Sequence, residues 1–132
     1  MVIPGHSEKR RTSAVAILAA SVGLTLSAAS AATFQHRAVA ELEGLDKITA
    51  RVWTFEVPVG HAIRFGTLEI VALACRETPP EERPESAAFL EVVDHRTDGE
   101  PAALFRGWMF ASNPALSALE HPVYDVWVKD CK

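Results

Sequence analysis

The sequence predicts a mainly β domain, a small antiparallel β-sandwich or open barrel with one short helix before the last strand. Apolar residues recur with a period of two in several runs, as in strands that bury one face. Turns rich in proline, glycine and aspartate separate these runs. The one helical signal is short, and Pro114 in it suits the first position of a helix.

The first 31 residues predict a secretory signal peptide. A basic cluster at residues 9–11 precedes residues 14–29, which carry no charge. Small residues at positions 29–32 provide two overlapping signal-peptidase sites. The apolar run is short for a membrane span, which needs about 20 residues; an uncleaved anchor is the alternative. We therefore expect residues 32–132 to form one secreted domain, with no stable membrane span after cleavage.

The charge balance excludes one class of partner. The whole chain has a formal charge of −4, and removal of the predicted signal peptide leaves ten basic and sixteen acidic residues. A protein that binds nucleic acid needs a basic surplus to neutralise phosphates. We therefore expect no nucleic acid partner. About 100 residues remain, which is a small domain with limited burial to offset chain entropy.

The first half of the domain contains runs in which apolar and polar residues alternate, and turns separate these runs. The runs are residues 33–45 (an edge strand or an ordered tail), 47–57 and 62–75. Trp53, Phe55 and Val57 share one apolar side of the second run. Gly66 interrupts the third run, and we expect a bulge or a sharp bend there.

A loop and a hairpin follow. Residues 76–86 hold three prolines and four glutamates, which predict an exposed, semi-stiff loop that buries nothing. Residues 87–96 and 102–110 flank an Asp-Gly turn and predict a β-hairpin. We expect the loop to be a solvated connection.

The short helix follows the hairpin. Ser112 or Asn113 is placed to cap it. Leu116 and Leu119 are three residues apart and are expected to share a face. His121-Pro122 then stops the helix, so it has room for one or two turns.

Cys75 and Cys131 are the two cysteines of the chain. A cysteine pair in a small exported domain predicts a disulfide. A pair of metal ligands is the alternative, although neither cysteine lies in a CxxC motif or beside a histidine. We place the last strand, residues 123–131, beside the strand that ends at Cys75, where the sulfurs can meet.

The sequence holds no catalytic, metal or cofactor motif. The histidines of the domain are scattered, and no GxSxG or HExxH pattern occurs. A hydrolase that uses Ser117, His121 and Asp125 is the enzymatic alternative, because a triad needs a nucleophile, a base and an acid that orients the base. We predict no catalytic residue, no metal ligand and no cofactor.

Five residues near the C-terminus form a candidate binding surface: Trp108, Asn113, His121, Asp125 and Trp127. Trp127 shares its side of the last strand with Asp125 and Lys129. If that side faces solvent, Trp127 contacts a partner; packing under the short helix is the alternative. A platform on which the tryptophans stack against sugar rings is a further alternative, since aromatic faces stack on apolar surfaces.

Three runs resemble an uncharacterised bacterial family, domain of unknown function 2155: RVWTFEVPVG, IRFGTLEIVALAC and FRGWMFASNPALSALEHPVYDVWVKDC. The resemblance covers residues 38–132 and is most specific at residues 107–112 and 120–127. It implies a small secreted protein with a periplasmic address in a Gram-negative cell, and implies no activity or cofactor. The prediction is a non-enzymatic module that binds an envelope protein or peptide. The alternatives are a small hydrolase and a carbohydrate-binding module acting on an envelope polymer.

Overall fold

The structure is a computed structural model of the chain, and it describes residues 2–5, 16, 23 and 33–132. Residues 33–132 belong to one compact unit. The predicted signal peptide and its cleavage sites lie outside the described residues, apart from the few positions named above. Among the described residues, no helix is both long enough and apolar enough to cross a membrane.

Residues 33–132 form a mainly β domain, which confirms the predicted fold class. The strands in chain order are β1 (Gln35–Arg37), β2 (Val39–Asp46), β3 (Arg51–Pro58), β4 (Ala62–Phe65), β5 (Leu68–Glu77), β6 (Ser86–Asp94), β7 (Ala102–Phe110) and β8 (Tyr124–Cys131). A 3₁₀ helix, Pro114–Ser117, lies between β7 and β8. The short helix before the last strand is therefore also confirmed.

The strands build two antiparallel sheets that do not close into a barrel. The five-stranded sheet has the order β1-β5-β6-β7, and its fifth strand, β4, also pairs with β5. The three-stranded sheet has the order β3-β2-β8. Alternate residues of both sheets point into one shared core. The largest fully buried side chains are Leu42, Leu68, Ile70, Leu90, Val57, Val92, Val126, Val128 and the two cysteines.

Strand β2 departs most from the sequence prediction. It is neither an edge strand nor a tail, because it pairs with β3 on one side and β8 on the other. Leu42 is fully buried, whereas Glu41 and Glu43 point outward. Lys132 and Lys129 pair with those two carboxylates at 2.8 and 3.0 Å. The matching charges come from a strand far along the chain, so local alternation does not reveal them.

The placement of β8 is corrected as well. It pairs with β2 and not with β5, so the last strand and the strand containing Cys75 lie in different sheets. The structure pairs Cys75 with Cys131 in a disulfide, with Cα atoms 5.6 Å apart. Both side chains are buried. The bond therefore joins the two sheets through the core.

The loop after β5 is anchored. Thr78 and Pro79 are buried, so the expectation that residues 76–86 bury nothing is wrong. The Thr78 hydroxyl donates to the carbonyl of Arg83 and accepts the N–H of Glu85, both at 2.9 Å. One buried hydroxyl thus satisfies backbone groups where the strand pairing ends.

The 3₁₀ helix is less well capped than predicted. Asn113 occupies the N-cap position but makes no side-chain capping bond. The hydroxyl of Ser112 donates instead to the carboxylate of Glu85. Leu116 is 65% exposed and Leu119 only 4%, because the helix ends before Leu119. The expectation that these leucines share a face is therefore wrong.

Candidate functional site

A cleft of about 540 Å³ opens between β3 and β4, which are edge strands of different sheets. Residues 53–56 line one side and residues 63–66 the other, with Asp46 and Tyr124 also in contact. Neighbouring residues of a strand point to opposite faces. Four consecutive residues can line one cleft only along the edge of their strand. The cleft therefore follows the edges of β3 and β4.

The floor of the cleft is an aromatic cluster centred on Phe65. Its ring stacks on Phe55 with centroids 5.4 Å apart and meets Trp53 and Tyr124 edge-on at 5.7 and 5.4 Å. Gly44 of β2 makes room for these rings, since a Cβ there would lie 2.7 Å from an atom of Phe65. Edge-to-face and offset rings attract one another, so the cluster is held in place before any ligand arrives.

Strand β3 is the more open side of the cleft. Its first four residues are exposed, with Val52 at 53% and Trp53 at 43%. Within residues 33–132 it pairs with β2 alone. Natural edge strands are usually blocked by charges, prolines or bulges. Between Arg51 and Glu56 the edge of β3 carries no charged residue, which leaves a window at residues 52–55.

A buried polar network fixes the end of the cleft near Tyr124. Asp94 accepts hydrogen bonds from the Thr67 hydroxyl at 2.6 Å and from Nε2 of His121 at 3.0 Å. Nδ1 of His121 accepts the backbone N–H groups of Val123 and Tyr124, both at 3.0 Å. The ring proton therefore lies on Nε2. The bond from Thr67, followed by the bond from His121, lowers the pKa of Asp94.

This network occupies the histidine that the hydrolase alternative requires. Both ring nitrogens of His121 are bonded, and its side chain is only 9% exposed. Asp125 accepts the N–H of Val126, and within residues 33–132 neither Asp125 nor Ser117 is hydrogen-bonded to His121. In the same residues no cluster of three or more His, Cys, Asp or Glu side chains could hold a metal ion. His121 here fixes the start of β8.

Two residues of the predicted binding surface, Trp127 and Asp125, lie on the outer face of the three-stranded sheet. The alternation of β8 places them opposite the buried Val126. The indole N–H of Trp127 donates to Glu43 at 3.0 Å. Lys129 bonds the same carboxylate, and this bond is the main cause that lowers the pKa of Glu43. Trp127 is therefore half-buried within a charged surface.

The other predicted surface residues lie elsewhere. Trp108 is on the outer face of the five-stranded sheet, where its ring meets Phe89 edge-on at 5.4 Å. Asn113 is exposed beside the 3₁₀ helix, and the side chain of His121 is turned into the Asp94 network and only 9% exposed. The structure does not bring the five residues together. With Trp53 in the cleft, the three tryptophans also occupy separate surfaces and form no common platform for a sugar.

The sequence pattern predicts that Trp53 and Phe55 of the cleft are core residues. Both share one apolar side of their run with Val57, as buried strand residues do. The sequence signal that could have identified the site is the uncharged run between Arg51 and Glu56. That run matters only if β3 is an edge strand, and strand order does not follow from local periodicity.

The fold and the cleft define a two-sheet β domain with an open aromatic edge. The chain belongs to the bacterial family described as "Uncharacterized protein conserved in bacteria (DUF2155)", whose model matches residues 40–131. This match confirms the family resemblance. The chain is also 29% identical over 100 residues to an uncharacterized protein of Rickettsia prowazekii (strain Madrid E). The aligned region is 76% of this chain and 64% of that relative. No solved structure matches the chain.

Proposed function

We propose that this domain is an exported, non-enzymatic module that binds an extended segment of a partner protein along the edge of β3. The observation that carries the proposal is the uncharged window at residues 52–55 beside a preformed aromatic cleft. An extended peptide can add a strand to such an edge. Its main chain then supplies hydrogen bonds, and its alternate side chains enter the cleft.

The charges around the cleft indicate the chemistry of the partner. Arg64 in the lining already pairs with Glu69, with the closest atoms 3.8 Å apart. Glu56 shares the ammonium group of Lys132 with a second carboxylate, so one negative charge remains at that end. Asp46 adds a negative charge to the lining. The arginine that begins β3 lies directly across from Asp46 and offsets its charge. We infer a partner segment with apolar residues at alternate positions and a lysine or arginine on the flank that lies near Glu56.

We infer that the module acts in the periplasm. Two observations support this location. The first 31 residues have the basic, apolar and small-residue parts of a secretory signal. The pairing of Cys75 with Cys131 also fits an oxidising compartment, where disulfides persist. A partner in the cell envelope follows from the same location.

Selection from a display library of short unstructured peptides tests the proposal. We expect enrichment of sequences with alternating apolar residues and a basic residue on one flank. Val52→Lys places a charge on the edge, as natural edge strands do to prevent pairing. This change should weaken binding of the enriched peptides by at least about tenfold, which corresponds to roughly 1.4 kcal/mol. Trp53→Ala should have a similar effect, because Trp53 forms one wall of the cleft.

Trp127→Phe is the matched control, since Trp127 lies on the outer face away from the cleft. It should leave the affinity unchanged. Amide hydrogen exchange of the bound domain should show new protection in β3, since added strand bonds cover its backbone N–H groups. Equal binding by wild type and Val52→Lys, or bound peptide without protection of β3, would rule out strand addition at this edge.

A further inference from the structure

We propose a second binding site, specific for a carboxylate group on a small apolar body, at Arg76 on the outer face of the five-stranded sheet. The site does not depend on peptide binding at β3, because the two surfaces share no lining residue. It is a pocket of about 160 Å³, and its lining residues are Phe34, Arg76, Ala87, Trp108 and Phe110.

The pairing of the strands builds this pocket. Arg76, Ala87 and Phe110 are direct neighbours across β5, β6 and β7. They point outward, because one neighbour of each along its strand is buried in the core, namely Cys75, Ala88 and Met109. Trp108, two residues before Phe110, points to the same side. Ala87 is the smallest of the group and forms the floor, and it is only 3% exposed because the larger side chains surround it.

Arg76 provides the charge of the pocket. Its guanidinium carbon lies 5.2 Å from the centroid of the Trp108 ring, which gives a cation–π attraction but no lone pair for a hydrogen bond. Its Nε is buried and has no hydrogen-bond partner. Within residues 33–132 no carboxylate forms an ion pair with Arg76. The covered Nε is out of reach of a ligand oxygen. The guanidinium group as a whole is not neutralised by a described carboxylate, so it is suited to bind an anion that enters the pocket.

Arg106 offers an internal comparison on the same face of the sheet. Its guanidinium carbon lies 5.4 Å from the centroid of the Phe89 ring. Unlike Arg76, Arg106 forms an ion pair, with Glu91. The two arginines therefore make the same contact with an aromatic ring and differ in their counter-ion. In a domain with six more acidic than basic residues, the unpaired arginine on a pocket wall is suited to an anionic ligand.

The size and lining of the pocket limit the ligand. Sites for drug-sized molecules usually measure about 300–1,000 Å³, so this pocket takes one apolar group of side-chain size. The planar guanidinium matches a carboxylate through two parallel hydrogen bonds. The C-terminal residue of a peptide and a free small organic acid share this chemistry.

Titration of the ¹⁵N-labelled domain tests the site. N-acetyl-leucine carries the carboxylate, and N-acetyl-leucinamide has the same body without the charge. We expect the acid to shift the indole N–H signal of Trp108 saturably, in the millimolar range. The amide should bind at least about tenfold more weakly, as expected for loss of charge-assisted hydrogen bonds.

Variants separate a binding role from a structural one. Arg76→Gln should abolish the preference for the acid, and Arg76→Lys should keep the preference with lower affinity, because lysine lacks the planar fork. Arg106→Gln is the matched control and should bind the acid as wild type does. Melting curves report whether each variant folds. If Arg76→Gln does not fold, the comparison of Arg76→Lys with wild type decides, and equal affinity would contradict the role of the fork.

The source of the carboxylate is distinguished by a short peptide ending in leucine, with a free or an amidated C-terminus. Tighter binding of the free-terminus peptide than of N-acetyl-leucine indicates a chain terminus, and weaker binding indicates a small organic acid. Equal binding of N-acetyl-leucine and its amide, or no saturable shift with either, overturns the proposal. Retention of the acid preference by Arg76→Gln overturns it as well.

Discussion

Removal of the disulfide between Cys75 and Cys131 should destabilise the domain by about 4 kcal/mol. The cysteines are 56 residues apart in sequence. For a loop of that length the chain-entropy relation gives about 14 cal/mol/K, or about 4 kcal/mol at 25 °C. This is an upper value, since it assigns the whole effect to the entropy of the unfolded chain. Small domains are stable by only about 5–15 kcal/mol, so the bond is a large fraction of the total.

The double variant Cys75→Ala/Cys131→Ala is the appropriate perturbation. Both side chains are 1% exposed, and alanine adds no polar atom to the core, whereas serine would bury a hydroxyl. For a urea m-value of about 1–3 kcal/mol/M, the unfolding midpoint should fall by at least about 1 M. A reducing agent should lower the midpoint of the wild type towards that of the variant and leave the variant unchanged.

Mass spectrometry after alkylation without reduction supplies the independent check. The protein is purified without a reducing agent, and we expect neither cysteine to be alkylated. Two freely alkylated cysteines would refute the bond and would reopen the metal-binding alternative for this pair. An unchanged urea midpoint in the double variant would refute the calculated magnitude.

Two further predictions concern the support of the cleft. Gly66→Ala should destabilise the domain by about 2–4 kcal/mol, because φ is +58° and a Cβ would overlap the Tyr124 ring. Gly60→Ala is the control, because Gly60 has a φ of +86° and an added Cβ would have no atom within 4 Å. It should lower the free energy of unfolding only by the backbone strain, about 1–2 kcal/mol. If urea unfolding shows the same loss of stability for both variants, the packing argument is wrong. The pKa of Asp94 is lower in the folded protein than in the unfolded chain, where it is about 3.9. The ionised carboxylate therefore stabilises the fold at a pH above that value, and this stabilisation is lost as the pH falls through the folded pKa. Asp94→Asn should therefore be less stable at neutral pH and lose less stability than wild type on acidification; parallel pH profiles would contradict this assignment.

Strict alternation and turn residues predicted much of the fold. Residues 102–110 match β7 to the residue, and the apolar side of β3 that includes Phe55 and Val57 does face the interior. Gly66 marks a two-residue turn between β4 and β5 where the sequence suggested a bulge or bend. The two halves of the run pair with each other as antiparallel strands, so the chain reverses at Gly66, whose φ of +58° glycine adopts without strain.

The candidate site could not be predicted in the same way. Trp53 and Phe55 have the sequence pattern of core residues, and they line a cleft only because β3 and β4 belong to different sheets. Strand order depends on distant partners, such as the pairing of β2 with β8. His121 shows the opposite case. Its sequence neighbours fit a catalytic triad, but in the fold its ring is bonded to Asp94 at the end of β6 and has a structural role.

The pairing of β2 with β8 determines the order in which the domain can fold. Val39 and Lys132 exchange backbone hydrogen bonds of 2.7 and 2.9 Å, so the three-stranded sheet joins segments at a large sequence separation. The β2–β3 hairpin alone is a two-stranded ribbon of marginal stability in water. As a chain emerges N-terminus first, this sheet stays incomplete until β8 arrives, and contacts of such high separation form slowly. Until then both edges of the hairpin are open to incorrect strand pairing, so the rate at which β8 docks sets the period of greatest aggregation risk.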